Sequence, residues 1–367
     1  MLHRPYGRTG KEISVISFGG MRFDNPADLD ANAEVLWHAH QRGINYFDTA
    51  PHYCEDKSED IFGTAFRQMD RDTFYVSTKC MASDGDRLRE SLETSLRRLQ
   101  VEKIDFFHIW CVVTMEAWEK RKAGGALAAA RKAKDEGLVD HVVLSSHMPG
   151  DDIRQVLEAG EVEGVTLGYC ALNFPYRQAG VDAAGRLGIG VVTMNPLGGG
   201  LIPRNAERFD FLRGPDDPSV VAAALRFNIS QPSITSALVG FTTKEHVDEA
   251  VDAAEGFQPY PPEHIEAVRA NVRHSFDDLC TGCGYCLPCP EGVPIPRLMD
   301  AYNMKILAGG PEKITGRLQG HWGIGAEEAQ ACSLCGACEQ RCTQHLPIRD
   351  RMREIAELAA PQSEQSG

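Results

Sequence analysis

The chain has 367 residues, 43% of them hydrophobic and 25% charged, which is room for one large domain and a small one. A formal net charge of −14 argues against nucleic acid and anionic membrane surfaces, both of which select for basic patches. No apolar run approaches the roughly 20 residues that span a bilayer, and nothing at the N-terminus reads as a secretory signal, so the cytoplasm is the expected compartment.

From residue 1 to about 256, short β-branched or aromatic runs alternate with longer amphipathic stretches. The runs are Ile13 to Phe18, Ile44 to Asp48, Phe74 to Lys79, Ile104 to Cys111, Val139 to Ser145, Val165 to Cys170, Gly190 to Asn195 and Ser236 to Phe241. Helical periodicity lies between them, as in Asp28 to Arg42, Gly85 to Leu99, Glu116 to Glu136 and Lys244 to Ala254. Eight strand and helix alternations are the sequence form of an α/β fold, a closed parallel (β/α)8 barrel, whose active site lies where the strands end. A doubly wound open sheet is the competitor; the strand count and the lack of a GxGxxG after the first strand weigh against it.

The proline-rich Gln258-Pro259-Tyr260-Pro261-Pro262 cannot continue a helix and reads as a boundary, giving a barrel over 1–258 and a second domain over 259–360. That domain opens with a linking helix, Pro262 to Phe276, and has helical periodicity again at Pro296 to Ala308. It is therefore expected to be small and mainly helical, and the cysteine runs it carries make it ferredoxin-like. The small, polar residues 361–367 read as a disordered tail.

Eight of the twelve cysteines fall in two runs, Cys280-x2-Cys283-x2-Cys286-x2-Cys289-Pro290 and Cys332-x2-Cys335-x2-Cys338-x3-Cys342. Such spacing lets three thiolates fold around one face of an iron–sulfur cluster, and in two-cluster ferredoxins the fourth cysteine reaches across to the other cluster. Cys280, Cys283, Cys286 and Cys342 would then hold one 4Fe-4S cluster, and Cys332, Cys335, Cys338 and Cys289 a second. Structural zinc and disulfides are the alternatives; zinc is usually served by two separated CxxC pairs, and a reducing cytoplasm keeps thiols free. The first run is one residue shorter than the bacterial ferredoxin pattern, and the second has Thr343 where a proline is usual.

The second strand ends Asp48-Thr49-Ala50-Pro51-His52-Tyr53, followed by Ser58-Glu59, and the third ends Ser77-Thr78-Lys79. With Gly7-Arg8-Thr9-Gly10, Gly19-Gly20-Met21-Arg22, Asn195-Pro196-Leu197-Gly198-Gly199-Gly200 and Val239-Gly240-Phe241, the barrel resembles the aldo-keto reductase family. Together with the cysteine runs it resembles the subgroup carrying a ferredoxin-type extension. The resemblance implies that Tyr53 exchanges a proton with a carbonyl oxygen while Lys79, held by Asp48, favours the phenolate. This is chemically sensible, because a phenol of pKa about 10 donates poorly near neutrality without a neighbouring cation. The competing reading is a structural Asp48–Lys79 ion pair with Tyr53 as rim packing.

Several positions depart from that family. Its catalytic histidine position holds Trp110, and His108, two residues earlier, shares the inward face but lies deeper; it reads either as a hydrogen-bonded core histidine or as a displaced participant. His52 and His147 are further candidates for the polar gap. On the cofactor side Ser145 and Asn173 match nicotinamide contacts, Tyr169 replaces the usual amide-binding glutamine, and Gly240, Thr242 and Lys244 lie where the adenosine phosphates of NADP(H) or NAD(H) are held. The customary arginine for a 2′-phosphate is absent, with His246 near its place. Cys54, Cys80, Cys111 and Cys170, all at strand ends, read singly as small buried hydrophobes, and His345 as a surface residue.

The resemblance thus implies an oxidoreductase that interconverts a small-molecule carbonyl and an alcohol. Its clusters would be structural or would exchange electrons with a partner protein. Two alternatives remain: a remodelled barrel doing proton-transfer (isomerase or lyase) chemistry, and a non-enzymatic electron-transfer module. Specificity is expected in the loops Met81 to Gly85, Val112 to Met115 and Leu201 to Asp217.

Overall fold

The structure is a computed structural model that describes residues 1–275 and 279–359. Its contacts divide into two units: Met1–Gly198 with Ile202–Glu266, and Gly199–Leu201 with the chain from Ala267 onward. The expected tail, 361–367, and Phe276 at the end of the expected linking helix lie outside the described residues.

The first unit opens with a small antiparallel pair, β1 (His3–Pro5) and β2 (Glu12–Ser14). Eight parallel strands then close into a barrel: β3 (Ile16–Gly19), β4 (Tyr46–Asp48), β5 (Tyr75–Cys80), β6 (Ile104–Val112), β7 (Val139–Ser146), β8 (Gly164–Gly168), β9 (Gly190–Met194) and β10 (Ser236–Gly240), with β10 pairing β3. Helices cross between successive strands, as the eightfold alternation predicts. The single expected run Ile13 to Phe18 divides between β2 and β3. At the break the Ser14 hydroxyl donates to the Ile16 carbonyl at 2.6 Å, and the Ser14 amide to Asn45 Oδ1 at 2.8 Å. The expected helix Glu116 to Glu136 is likewise two, Met115–Ala123 and Ala126–Asp135. They are separated at Gly124 and Gly125 because Gly125 takes φ +88°, and a Cβ on Gly124 would stand 2.2 Å from the Ser83 carbonyl.

The N-terminal pair closes the bottom of the barrel. Tyr6 is fully buried and packs on Phe106, with ring centroids 4.6 Å apart, and with Tyr46, Val143, Val192 and Leu238 it fills the lowest layer. Room for its ring comes from glycines at the starts of two strands: a Cβ on Gly164 would lie 2.2 Å from the Tyr6 hydroxyl, and one on Gly190 2.5 Å from its ring. With that end plugged, only the strand C-termini are open to chemistry. Strand alternation stacks Phe106, His108 and Trp110 up the inner face of β6, and places Asp48 above Tyr46 and Lys79 above Ser77.

In the second unit the described residues form helices and turns without strands. Ile295–Ala308 and Ile348–Glu357 are the longest elements lying wholly within it, joined by shorter helices at Glu312–Arg317 and Ala337–Gln340. Its core unites Leu298, Met299, Ile314, Leu318, Leu346, Met352 and Ile355 with Cys338 and Cys342. Asn303, 1% exposed, receives the Cys280 amide on Oδ1 and donates Nδ2 to the Cys280 carbonyl, both at 2.8 Å. One buried side chain thus fixes the entry of the first cysteine run.

Candidate active site and cysteine cradle

At the open end of the barrel a buried ionic network lies beneath a half-buried phenol. Lys79 and Asp48 form an ion pair and are 3% and 2% exposed. Asp48 also accepts the Ser77 hydroxyl at 2.6 Å; Ser77 in turn accepts the Tyr46 hydroxyl at 3.1 Å and lies 2.8 Å from His108 Nε2. Since the one Ser77 proton is committed to Asp48, His108 must donate from Nε2. Burial, followed by the Lys79 charge, holds His108 well below the ordinary histidine range, so the ring is neutral. It is fully buried and faces this network, not the mouth. Burial also lowers the Lys79 pKa, and the Asp48 carboxylate is the main influence opposing that fall.

The Lys79 ammonium stands 5.7 Å from the centroid of the Tyr53 ring. The Trp110 ring meets Tyr53 edge to face, 5.5 Å away and at 86°. Tyr53 is carried on a loop in which His52, Cys54, Glu55 and Asp56 all take left-handed backbone, φ +52° to +68°. Each such residue costs roughly 1–2 kcal/mol, so the loop needs outside support. Asp56 supplies it: its carboxylate accepts both terminal nitrogens of Arg98 at 2.8 Å and the His52 amide at 3.1 Å. The Arg98 guanidinium holds the Asp56 carboxyl down to about 2. The amides of Lys57 and Ser58 both donate to the Tyr53 carbonyl at 3.2 Å. Below them Glu59, 1% exposed, accepts from Thr78 at 2.8 Å, and burial pushes its carboxyl up.

Of the other residues considered at the mouth, His52 is largely exposed while His147 is buried at the end of β7. Cys80, Cys111 and Cys170 are buried and Cys54 partly so. Ser145 is buried near the end of β7. Asn173 precedes the helix Phe174–Leu187 and accepts the Cys170 amide at 3.0 Å. Tyr169 is fully buried, packed on Phe174 and Phe227, with its hydroxyl donated to Gln178 at 2.8 Å; the ring that replaces the expected glutamine is embedded in apolar packing. Gly240 ends β10, where a Cβ would meet the Arg22 side chain at 2.7 Å. Thr242 lies 2.8 Å from His246 Nδ1, and Lys244 begins the helix Lys244–Ala254 with its ammonium 3.2 Å from Glu34. That ion pair is solvent-exposed and cheap to exchange, so a helix start with a releasable ammonium fits a phosphate group. The contacts of Ser77, Tyr46, Arg98 and Arg22 escaped the sequence reading. Only the pairing of strands brings these residues to Asp48, the Tyr53 loop and Gly240.

Cysteines of the two runs are brought together in the second unit. Cys283, Cys286 and Cys342 surround Cys280, and Cys283, Cys338 and Cys342 are near Cys286. Burial first, then these neighbours, pushes the Cys280 and Cys286 thiols up to about 12. Cys289, Cys332, Cys335 and Cys338 line a second cavity together with Cys286, Ile295 and Arg341. Arg341 ties the runs together by donating to the Leu287 and Pro288 carbonyls at 3.1 and 3.2 Å. Among the described residues no three His, Cys, Asp or Glu side chains stand close enough to hold a single metal ion. Four thiolates gathered in a half-buried space repel one another and require cationic iron, so the donor set fits a cluster. His345 is exposed.

The profile of the Aldo/keto reductase family matches residues 15–272, and that of a 4Fe-4S dicluster domain matches residues 277–346. The chain is similar to the L-galactose dehydrogenase of Arabidopsis thaliana, 28% identical over 289 residues that cover 68% of this chain and 87% of the relative. It is also similar to the NADH-specific methylglyoxal reductase of Escherichia coli, 26% identical over 221 residues, 53% of this chain and 65% of the relative. Among solved structures, the aldo-keto reductase AKR11C1 from Bacillus halodurans superposes with a TM-score of 0.64 at 21% identity, covering 74% of this chain and 96% of that one, a likeness of fold. Among the described residues no helix is long and apolar enough to cross a membrane. This chain is an oxidoreductase of the aldo/keto reductase family with a C-terminal 4Fe-4S domain.

Proposed function

We propose that the barrel interconverts a small carbonyl and an alcohol, with Tyr53 exchanging the proton on the substrate oxygen. The observation that carries this reading is the buried Lys79–Asp48 pair beneath the Tyr53 ring. A buried ammonium lowers the cost of placing negative charge on the phenol oxygen, and Asp48, itself supported by Ser77, keeps Lys79 protonated in its apolar surroundings. Trp110 supplies an apolar wall where the family places a histidine, leaving Tyr53 as the proton donor. His108 acts at one remove, by holding Ser77 and through it Asp48.

A nicotinamide cofactor, NADP(H) or NAD(H), would supply the hydride. Ser145 and Asn173 would hold its amide end, and Gly240, Thr242 and Lys244 its phosphates. The cysteine groups would hold two 4Fe-4S clusters, one on Cys280, Cys283, Cys286 and Cys342, the other on Cys289, Cys332, Cys335 and Cys338, supplying single-electron exchange with a partner protein or rigidity. The cytoplasm suits both the clusters and the free thiols.

The test is carbonyl reduction by anaerobically prepared protein and by Tyr53→Phe, with iron counted in both. Turnover lost in the variant at unchanged fold, and about eight irons per chain in both, support the reading. A near-native rate in Tyr53→Phe removes the tyrosine from the mechanism; stoichiometric zinc with little iron removes the clusters. Binding of neither NADH nor NADPH would move the barrel to proton-transfer chemistry on the same Asp48, Tyr53 and Lys79.

A further inference from the structure

Arg121 lies on the helix that follows β6 and reaches back to one of the loops where specificity is expected, Met81 to Gly85, and to the end of β6. One terminal nitrogen donates to the Ser83 hydroxyl at 2.8 Å, and the other to the Trp110 carbonyl at 3.3 Å. Both partners are neutral. Arg98, which supports the Tyr53 loop, is answered by the Asp56 carboxylate, whereas among the described residues no carboxylate pairs with Arg121. Among the described residues its buried Nε has no hydrogen-bond partner. A half-buried guanidinium is costly unless an anion answers it, and a planar fork of donors matches a carboxylate. Its partner Trp110 is also the residue whose ring touches Tyr53, so a single residue links the guanidinium to the proton donor.

We infer that Arg121 is the anchor for a carboxylate on the substrate, so that the barrel acts on 2-oxo acids or the corresponding 2-hydroxy acids. This rests on the carbonyl-oxidoreductase reading given above. In the resulting arrangement the substrate carboxylate lies toward Trp110 and Arg121, while its neighbouring carbonyl oxygen faces Tyr53. The guanidinium keeps its proton throughout and acts by position and charge alone. Ser83, in the loop after β5, and the Trp110 carbonyl, near the end of β6, hold the fork in place.

The experiment compares phenylglyoxylate with its uncharged methyl ester as substrates, and measures oxalate binding by tryptophan fluorescence, in the full iron-loaded chain and in Arg121→Gln and Arg121→Lys. The expected result is a preference for phenylglyoxylate in the parent. Arg121→Gln should raise its KM, and weaken oxalate, by about tenfold to a hundredfold, with the methyl ester unchanged and Arg121→Lys in between. Equal oxalate binding by parent and Arg121→Gln, or an equal loss of both substrates showing Arg121 to be only a strut between loops, overturns the inference. Oxalate binding that depends on Arg121 without turnover of either carbonyl leaves the anchor standing and refutes the redox reading instead.

Discussion

Replacing Asp48 by asparagine tests the centre of the site, because it changes one charge at nearly constant shape. In the parent, the Asp48 carboxylate answers Lys79 and accepts from Ser77, all at a depth where both charged side chains are under 5% exposed. The substitution leaves the Lys79 ammonium buried with only the more distant Glu59 to oppose its desolvation. Breaking a buried pair from one side costs about 3–5 kcal/mol. At roughly 2–4 °C per kcal/mol for a domain of this size, the barrel's Tm should fall by roughly 6–20 °C. Near-ultraviolet circular dichroism of the barrel tryptophans follows the transition. The double variant Asp48→Asn/Lys79→Met removes the stranded charge and should recover part of the loss. Within the surviving fold, activity in Asp48→Asn should be confined to lower pH, since Lys79 now loses its proton more readily. A destabilisation below about 1 kcal/mol, or a double variant no more stable than the single one, would refute the argument that Asp48 keeps a desolvated lysine charged.

Two further outcomes concern other parts of the molecule. His108 is held neutral in the folded state, whereas the unfolded chain takes up a proton near pH 6.5. The unfolded state therefore binds more protons below that pH, and His108 should erode stability as pH falls from about 6.5 toward its lowered folded pKa, by up to about 1.4 kcal/mol per pH unit. Urea denaturation between pH 7 and 5 should show a flatter dependence in His108→Gln, and identical slopes would contradict the neutral assignment. In the second unit, Asn303→Ala removes two buried hydrogen bonds to the Cys280 backbone, a cost of about 2–4 kcal/mol once the orphaned groups are included. It should also speed the loss of iron to a chelator; parent-like bleaching would mean that the Cys280 entry does not depend on this amide.

The local sequence determines much of this protein. Eight runs of β-branched and aromatic residues at regular spacing mark a parallel α/β fold, because each amphipathic helix must cover the strand before it, and their number favours closure into a barrel. The cysteine spacing likewise carries its own chemistry, since chelation by closely spaced thiolates is a property of a short segment. Tyr53, Lys79 and Asp48 are visible as strand-end residues. The glycine pair at 124 and 125 broke a helix that periodicity alone extends through it, because the constraint there is the distant Ser83 carbonyl. What Asp48 and His108 do was likewise decided only in three dimensions. Pairing of β4 with β5 and of β5 with β6 sets Asp48 opposite Ser77 and Lys79 opposite His108, turning an isolated histidine into a buried support for a carboxylate. The same holds for Tyr169, whose place in the chain suggests a cofactor contact but whose ring packs on Phe174 and Phe227, and for Arg121, which no motif marks. Periodicity and chelate spacing are local, whereas burial and partnership depend on residues tens of positions away that meet only when the barrel closes.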